Sequence, residues 1–238
     1  MKLFSKPAGV SWFCFGTGLL CLLLRQWLLT AGVNEAGLLN HTHPGYRLSW
    51  LLVPVVTLIL FLSRKQQTRV RFSYSGTRVL GLVLRALGYL AAAAMVRVVD
   101  HPLKTVTAVL GGAAALCNLF QAVQVIRKKR TPPLTYGADI LFLLMYMVCR
   151  YGAWSSEPEL QRSFFHMAAL GSLALTAYRR GVFALDRKDW KGYLLLSRWA
   201  LFACLGAIPG SPDALPLALW ALGLLLDGCS PAAPRKAQ

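Results

Sequence analysis

Eight long apolar blocks, at residues 8–30, 47–63, 79–99, 105–126, 137–154, 163–178, 193–208 and 210–227, make up most of this chain. A helix that crosses a bilayer needs about 20 residues and tolerates about 17 to 25. Blocks of that length, so closely spaced, leave too little polar chain to cover them in water, so lipid is the solvent for their outer faces. Composition agrees: 56% of the 238 residues are hydrophobic and 15% charged, against roughly 45–50% and about 25% in soluble domains. The blocks predict an all-α polytopic transmembrane bundle of about eight spans. It forms one domain over residues 1–227, with a short polar tail at 228–238. The second, sixth and seventh blocks are short, and Pro212 and Pro216 fall early in the eighth.

The gaps between blocks set the orientation. With the first residues placed inside, the inside segments hold 18 of the lysines and arginines and the outside segments only Arg47, Lys104 and Arg162. Cytoplasmic loops carry such an excess, so both termini are expected in the cytoplasm. Trp27, Tyr46, Trp50, Tyr151 and Trp154 fall at the outer ends of the blocks, and Tyr74, Tyr136, Tyr178, Trp190 and Tyr193 at the inner ends, as two headgroup-level belts require. The net charge of +17 resides in these loops. No basic face with interleaved aromatics is left for nucleic acid; the partners implied are the bilayer and its anionic headgroups at the cytoplasmic loops. The expected location is a membrane, as a multi-pass protein; in a bacterium this is the cytoplasmic membrane.

Ionisable side chains within spans are expensive and mark function or snorkelling. Arg25, Arg97 and Arg150 lie near outer ends, where a long stem reaches the headgroups. Arg85 and Arg198 lie deeper, and Asp139 is the acid placed well within an apolar run. Asn118, Gln121 and Gln124 advance by threes along the fourth block and so share a broad face. Arg85, Asn118, Gln121, Asp139 and Arg198 are therefore the candidate polar layer of the inner leaflet. Asp139 is expected to pair with Arg85 or Arg198, because a lone charge in hydrocarbon is costly. Such a layer serves either as glue between helices or as a pathway for a ligand or ion.

The four histidines, His41, His43, His101 and His166, all fall on the outer side, with Glu35, Asp100, Glu157 and Glu159 near in sequence. Imidazoles with carboxylates suit a divalent metal, so these histidines are the candidate metal ligands, although their spacing matches no fixed metal motif. No other cofactor is implied: Gly16-Thr17-Gly18 lacks the third glycine and preceding strand of a dinucleotide site, and no phosphate-binding loop or G-x-S-x-G serine is present.

Three function classes fit, with the first preferred. One is binding or transport of a small molecule, ion or lipid through the inner polar layer, with Pro54 and Gly111-Gly112 interrupting spans near mid-membrane. Another is a non-catalytic accessory or assembly subunit. The third is a membrane-embedded enzyme, with or without a metal on the histidine set, acting at the outer face on a lipid-type substrate.

Overall fold

The computed structural model describes residues 7–33, 39–66, 70–72, 75–154, 160–186, 190–229 and 232–234. They form eight helices: α1 (Pro7–Ala31), α2 (Pro44–Gln66), α3 (Gly76–Val96), α4 (Lys104–Ile126), α5 (Leu134–Trp154), α6 (Leu160–Asp186), α7 (Trp190–Ala207) and α8 (Ala214–Gly228). Each apolar block of the sequence became one helix. Five of them, α1 to α5, are long and apolar enough to cross a membrane; α8 is as apolar but has only 15 residues. Two three-residue segments, β1 (Val70–Phe72) and β2 (Ala232–Pro234), pair antiparallel. The segment Ala232–Pro234 is thus held beside the α2–α3 connection, and this short ribbon and an isolated antiparallel bridge between Val33 and Leu39 are the departures from an all-α chain among the described residues.

Several boundaries differ from the sequence reading for identifiable reasons. α6 continues past Tyr178 to Asp186, carrying Arg179 and Arg180 within the helix. Pro54 and the Gly111-Gly112 pair do not break their elements, since α2 and α4 run through them. Pro212 precedes the N-cap residue Asp213 and Pro216 falls in the first turn of α8, where no N–H partner is lost.

The helices alternate in direction. At one end Arg78 at the start of α3 meets Asp227 at the end of α8, and Arg180 near the end of α6 meets the same carboxylate. At the other end Arg25 near the end of α1 donates to the carbonyl of Gly206 at the end of α7, and Arg150 near the end of α5 meets Asp213 at the start of α8. Adjacency follows chain order from α3 through α8, and α8 returns to α3, so six helices close into a ring. α1 packs against α7 and α8, and α2 against α1 and α7.

Lipid tails are as apolar as leucine, so close van der Waals fit and small residues hold such a bundle, more than hydrophobic transfer. The α3–α8 seam shows this. A Cβ added at Gly81 would stand 2.7 Å from the Gly223 carbonyl, and one at Gly223 would stand 2.6 Å from Arg85 Cγ. Gly88 faces Trp220, the largest fully buried side chain, and Gly111 of α4 faces Ala93 and Phe142. Inside the ring Tyr89 meets Phe142 edge to face and Trp220 at a tilt, its centroid 5.4 Å from each. Outside, Leu58 (59% exposed), Val109 (68%) and Leu116 (68%) face outward; a soluble monomer rarely carries apolar surface on that scale.

Gly223→Ala is therefore expected to wedge α8 from α3 and cost about 1–3 kcal/mol, as overpacking does. Gly112→Ala, where nothing lies within 4 Å of the added methyl, is expected to leave stability unchanged or raise it slightly. Thermal unfolding of the two purified variants in detergent is the check.

Candidate functional site

The buried polar residues gather into two layers, one at each end of the ring. The first lies at the end where α3, α5 and α7 begin. Asp139 on α5 is fully buried, and Arg85 Nη2 on α3 stands 3.6 Å from its Oδ2. Asn118 Nδ2 on α4 donates to Asp139 Oδ1 at 2.7 Å and to the Ala114 carbonyl at 2.9 Å. One turn on, Gln121 Nε2 donates to Thr135 Oγ1 at 3.2 Å, and that hydroxyl donates onward to the Pro132 carbonyl. Asn118 and Gln121 share a face because they are three residues apart on one helix. Three helices thus bring Arg85, Asn118, Gln121 and Asp139 into one buried cluster.

The hydrogen bonds also fix which way the amides point. Both partners of Asn118 Nδ2 are pure acceptors, and Thr135 uses its proton on Pro132, so each amide nitrogen must face where it does. Asn118 Oδ1 and Gln121 Oε1 then face elsewhere in the layer. Among the described residues neither has a hydrogen-bond partner, and neither do Asp139 Oδ2 and Arg85 Nη1. Buried polar atoms are normally satisfied by protein or by ordered water.

Beside this cluster lies a network the sequence reading did not anticipate. Asp227 of α8 takes Arg78 Nε of α3 at 3.6 Å, Arg180 Nη1 of α6 at 3.4 Å and the Tyr193 hydroxyl of α7 at 2.5 Å. Arg180 also lies over the rings of Tyr136 and Tyr193 and acts electrostatically on Asp139, joining the two halves of the layer. Of the two cations considered for Asp139, Arg85 is the partner. Arg198 is buried on α7, where Cys14 of α1, Cys229 and Tyr193 are its electrostatic neighbours.

The second layer lies at the opposite end. Arg150 pairs with the fully buried Asp213 and its Nη2 donates to the Tyr146 hydroxyl at 3.3 Å. His166 Nε2 stands 3.1 Å from Asp213 Oδ2, and its Nδ1 lies 3.1 Å from Ser211 Oγ, which accepts from the Asp213 amide. Arg25 spans from the Gly206 carbonyl to the Phe165 ring, 4.5 Å away. The snorkelling expected of Arg25 and Arg150 is therefore corrected: both turn inward, at 6% and 8% exposure, because polar partners lie within the bundle. Arg97 does face outward.

The histidines are placed separately. His41 packs on Tyr46 and His43 on Trp27, with His43 Nδ1 accepting from the Gly45 amide. His101 Nδ1 accepts from the Leu103 amide and lies 3.5 Å from Cys149 Sγ. His166 belongs to the Asp213 layer. Among the described residues no three histidine, cysteine, aspartate or glutamate side chains are grouped to hold a metal. Glu35, Glu157 and Glu159, expected near these histidines, lie outside the described residues.

Fold and site together define a helical bundle of membrane type with two buried polar layers. Comparison with family models, curated proteins and solved structures finds no match.

The Arg85–Asp139 contact yields a double-mutant cycle. Asp139→Leu and Arg85→Leu are each expected to cost about 3–5 kcal/mol by stranding a buried charge, and the double variant less than their sum. Asp139→Leu with Arg198→Leu is expected to be additive. Unfolding midpoints in detergent across both cycles decide.

Proposed function

We propose that this protein is an eight-span membrane protein, termini in the cytoplasm, that binds and passes a small polar solute through the layer formed by Arg85, Asn118, Gln121 and Asp139. The observation that carries this reading is the gathering of a buried cation, a buried carboxylate and two buried amides on three neighbouring helices, with Arg85 Nη2 3.6 Å from Asp139 Oδ2 and Asn118 Nδ2 2.7 Å from Asp139 Oδ1.

Three further features support it. The layer sits inside a closed ring of helices, where intramembrane ionisable groups commonly line solute paths. On α5 the apolar ring of Phe142 lies between Asp139 and the Arg150–Asp213 layer, with its centroid 5.4 Å from Tyr89 and 5.3 Å from Tyr146. The bundle thus has a buried polar region at each end with apolar packing between them. The charge excess of the loops between α2 and α3, α4 and α5, and α6 and α7 supports the cytoplasmic orientation, as does the alternation of helix direction. The exposed run Arg127, Lys128, Lys129 and Arg130 would then meet anionic headgroups.

Two labelling experiments test this in a background lacking the six native cysteines. For topology, Lys129→Cys is expected to react with a membrane-impermeant maleimide only in inverted vesicles, and Asn40→Cys only in right-side-out ones; the opposite pattern would overturn the orientation. For the site, Gln121→Cys is expected to react with a small water-borne methanethiosulfonate, whereas Ala114→Cys, about two helical turns deeper along α4 and fully buried, stays unreactive. A silent Gln121→Cys would mean a sealed layer and would remove the binding reading.

A further inference from the structure

At the end of the bundle away from the Asp139 layer, a cleft of about 310 Å³ lies between α3 and α4, lined by Arg97, Lys104, Thr105, Ala108 and Val109. Residues 104, 105, 108 and 109 share one face of α4, since each is matched by another four residues on. Arg97 enters the cleft from the C-cap of α3. The volume is at the small end of the roughly 300–1,000 Å³ usual for ligand sites, and far above the about 30 Å³ of one liquid water.

Charge sets what the cleft can hold. An arginine and a lysine line it, and no acidic side chain does. Among the described residues neither cation is in an ion pair, with Asp100 of the same connection or with any other acid. Lys104 is the first residue of α4, where the positive end of the helix dipole disfavours a cation. No acid and no side-chain cap offsets it in that turn. The loops at this end hold only three cations, Arg47, Lys104 and Arg162. Snorkelling accounts for one long stem at a helix end. It does not bring a second cation from the next helix into the same cleft, against the dipole. An anion between the two relieves both.

Position sets which anion. Arg97, Thr105 and Val109 are exposed on the outside of the ring, so the cleft opens towards lipid. Gly112 and Leu116 continue the face of Val109 at three- and four-residue steps. Leu116 is largely exposed, and nothing lies within 4 Å of a Cβ added at Gly112. A cationic cleft at the helix ends thus runs into an apolar groove along α4. Phosphate, glycerol and acyl chain follow one another in the same order in a phospholipid. With no lining acid, the cleft offers no partner to the ammonium of a zwitterionic headgroup.

We infer that this cleft binds an anionic phospholipid, with its phosphate on Arg97 and Lys104 and an acyl chain along Val109, Gly112 and Leu116. The site depends on the bundle lying in a membrane and is independent of the solute layer at the other end.

The test is fluorescence quenching in vesicles. The full-length protein, lacking its native cysteines, carries a bimane on Leu116→Cys and is reconstituted in phosphatidylcholine. Increasing fractions of lipid brominated on the acyl chain are then added, as phosphatidylglycerol or as phosphatidylcholine. Phosphatidylglycerol is expected to associate at least about fivefold more strongly, the worth of one cation beside an anionic lipid. Arg97→Gln with Lys104→Gln is expected to bring that ratio to about one, and Arg97→Lys with Lys104→Arg to keep it. A bimane on Leu144→Cys, mid-helix on α5 and 46% exposed, is expected to show no preference. The inference is overturned if the two lipids quench the Leu116 label alike. It is equally overturned if the preference survives loss of both charges, or if the Leu144 label shows the same preference. Inorganic phosphate, compared with sodium chloride at equal ionic strength, is expected to leave the ratio unchanged. Loss of the preference in phosphate alone would assign the cleft to a soluble anion and overturn the lipid.

Discussion

The bundle depends on α8 closing against α3, and two carboxylates at the ends of α8 hold it there. Asp213, Leu217, Trp220, Leu224 and Asp227 follow one another at three- and four-residue steps and are all buried, so they form one inward face. Trp220 fills the interior of the ring, and the acids anchor the two ends. Asp227 reaches α3, α6 and α7, while Asp213 reaches α5 and α6. A short apolar helix has little to gain in lipid from hydrophobic transfer. Buried ion pairs and the close Gly81–Gly223 seam supply the directional contacts that transfer does not.

Closure has a consequence for function. A ring of helices has an inside, and polar side chains placed there avoid lipid without having to satisfy each other fully. All three buried acids use this freedom in the same way: each meets at least one arginine, and Asp139 Oδ2, Asp213 Oδ2 and Asp227 Oδ1 have no hydrogen-bond partner among the described residues. Asp227 and Asp213 tie α8 to its neighbours, and Asp139 with Arg85 and Asn118 ties α3, α4 and α5.

How much of this was legible in the sequence follows from the range of each signal. Helix number came from the length of apolar runs, a local property, and the scarcity of acids within those runs singled out Asp139 with Arg85 or Arg198 as its partner, a choice the structure makes for Arg85. The Asn118–Gln121 face was visible as a three-residue step. What was missed lies at the ends of blocks, where average hydropathy falls and a charged residue reads as loop. Arg180 was counted with a cytoplasmic connection, yet Leu173, Ala177 and Arg180 continue the buried periodicity of α6. That phase, followed past Tyr178, would have found it. Asp213 and Asp227 likewise sit in phase with the buried residues of α8. Arg25 and Arg150 carried no such local cue: turning inward rather than outward is decided by the Gly206 carbonyl and by Asp213, which are 181 and 63 residues away. The histidines shared a side of the membrane, and a shared side does not bring four loop and helix-end residues to one point.

The closure of α8 on α3 is most directly tested by a disulfide across the seam. A Cβ at Gly81 would lie 3.4 Å from Leu226 Cβ, close to the roughly 3.5–4.5 Å that a disulfide spans. In protein lacking its native cysteines, Gly81→Cys with Leu226→Cys is expected to oxidise nearly completely in the membrane, with the linked peptides found by mass spectrometry. The pair of Leu80→Cys with Leu226→Cys, in which Leu80 is 52% exposed on the outer surface, is expected to stay reduced. Equal and low cross-linking of both pairs would mean that α8 does not return to α3, and the ring would not exist.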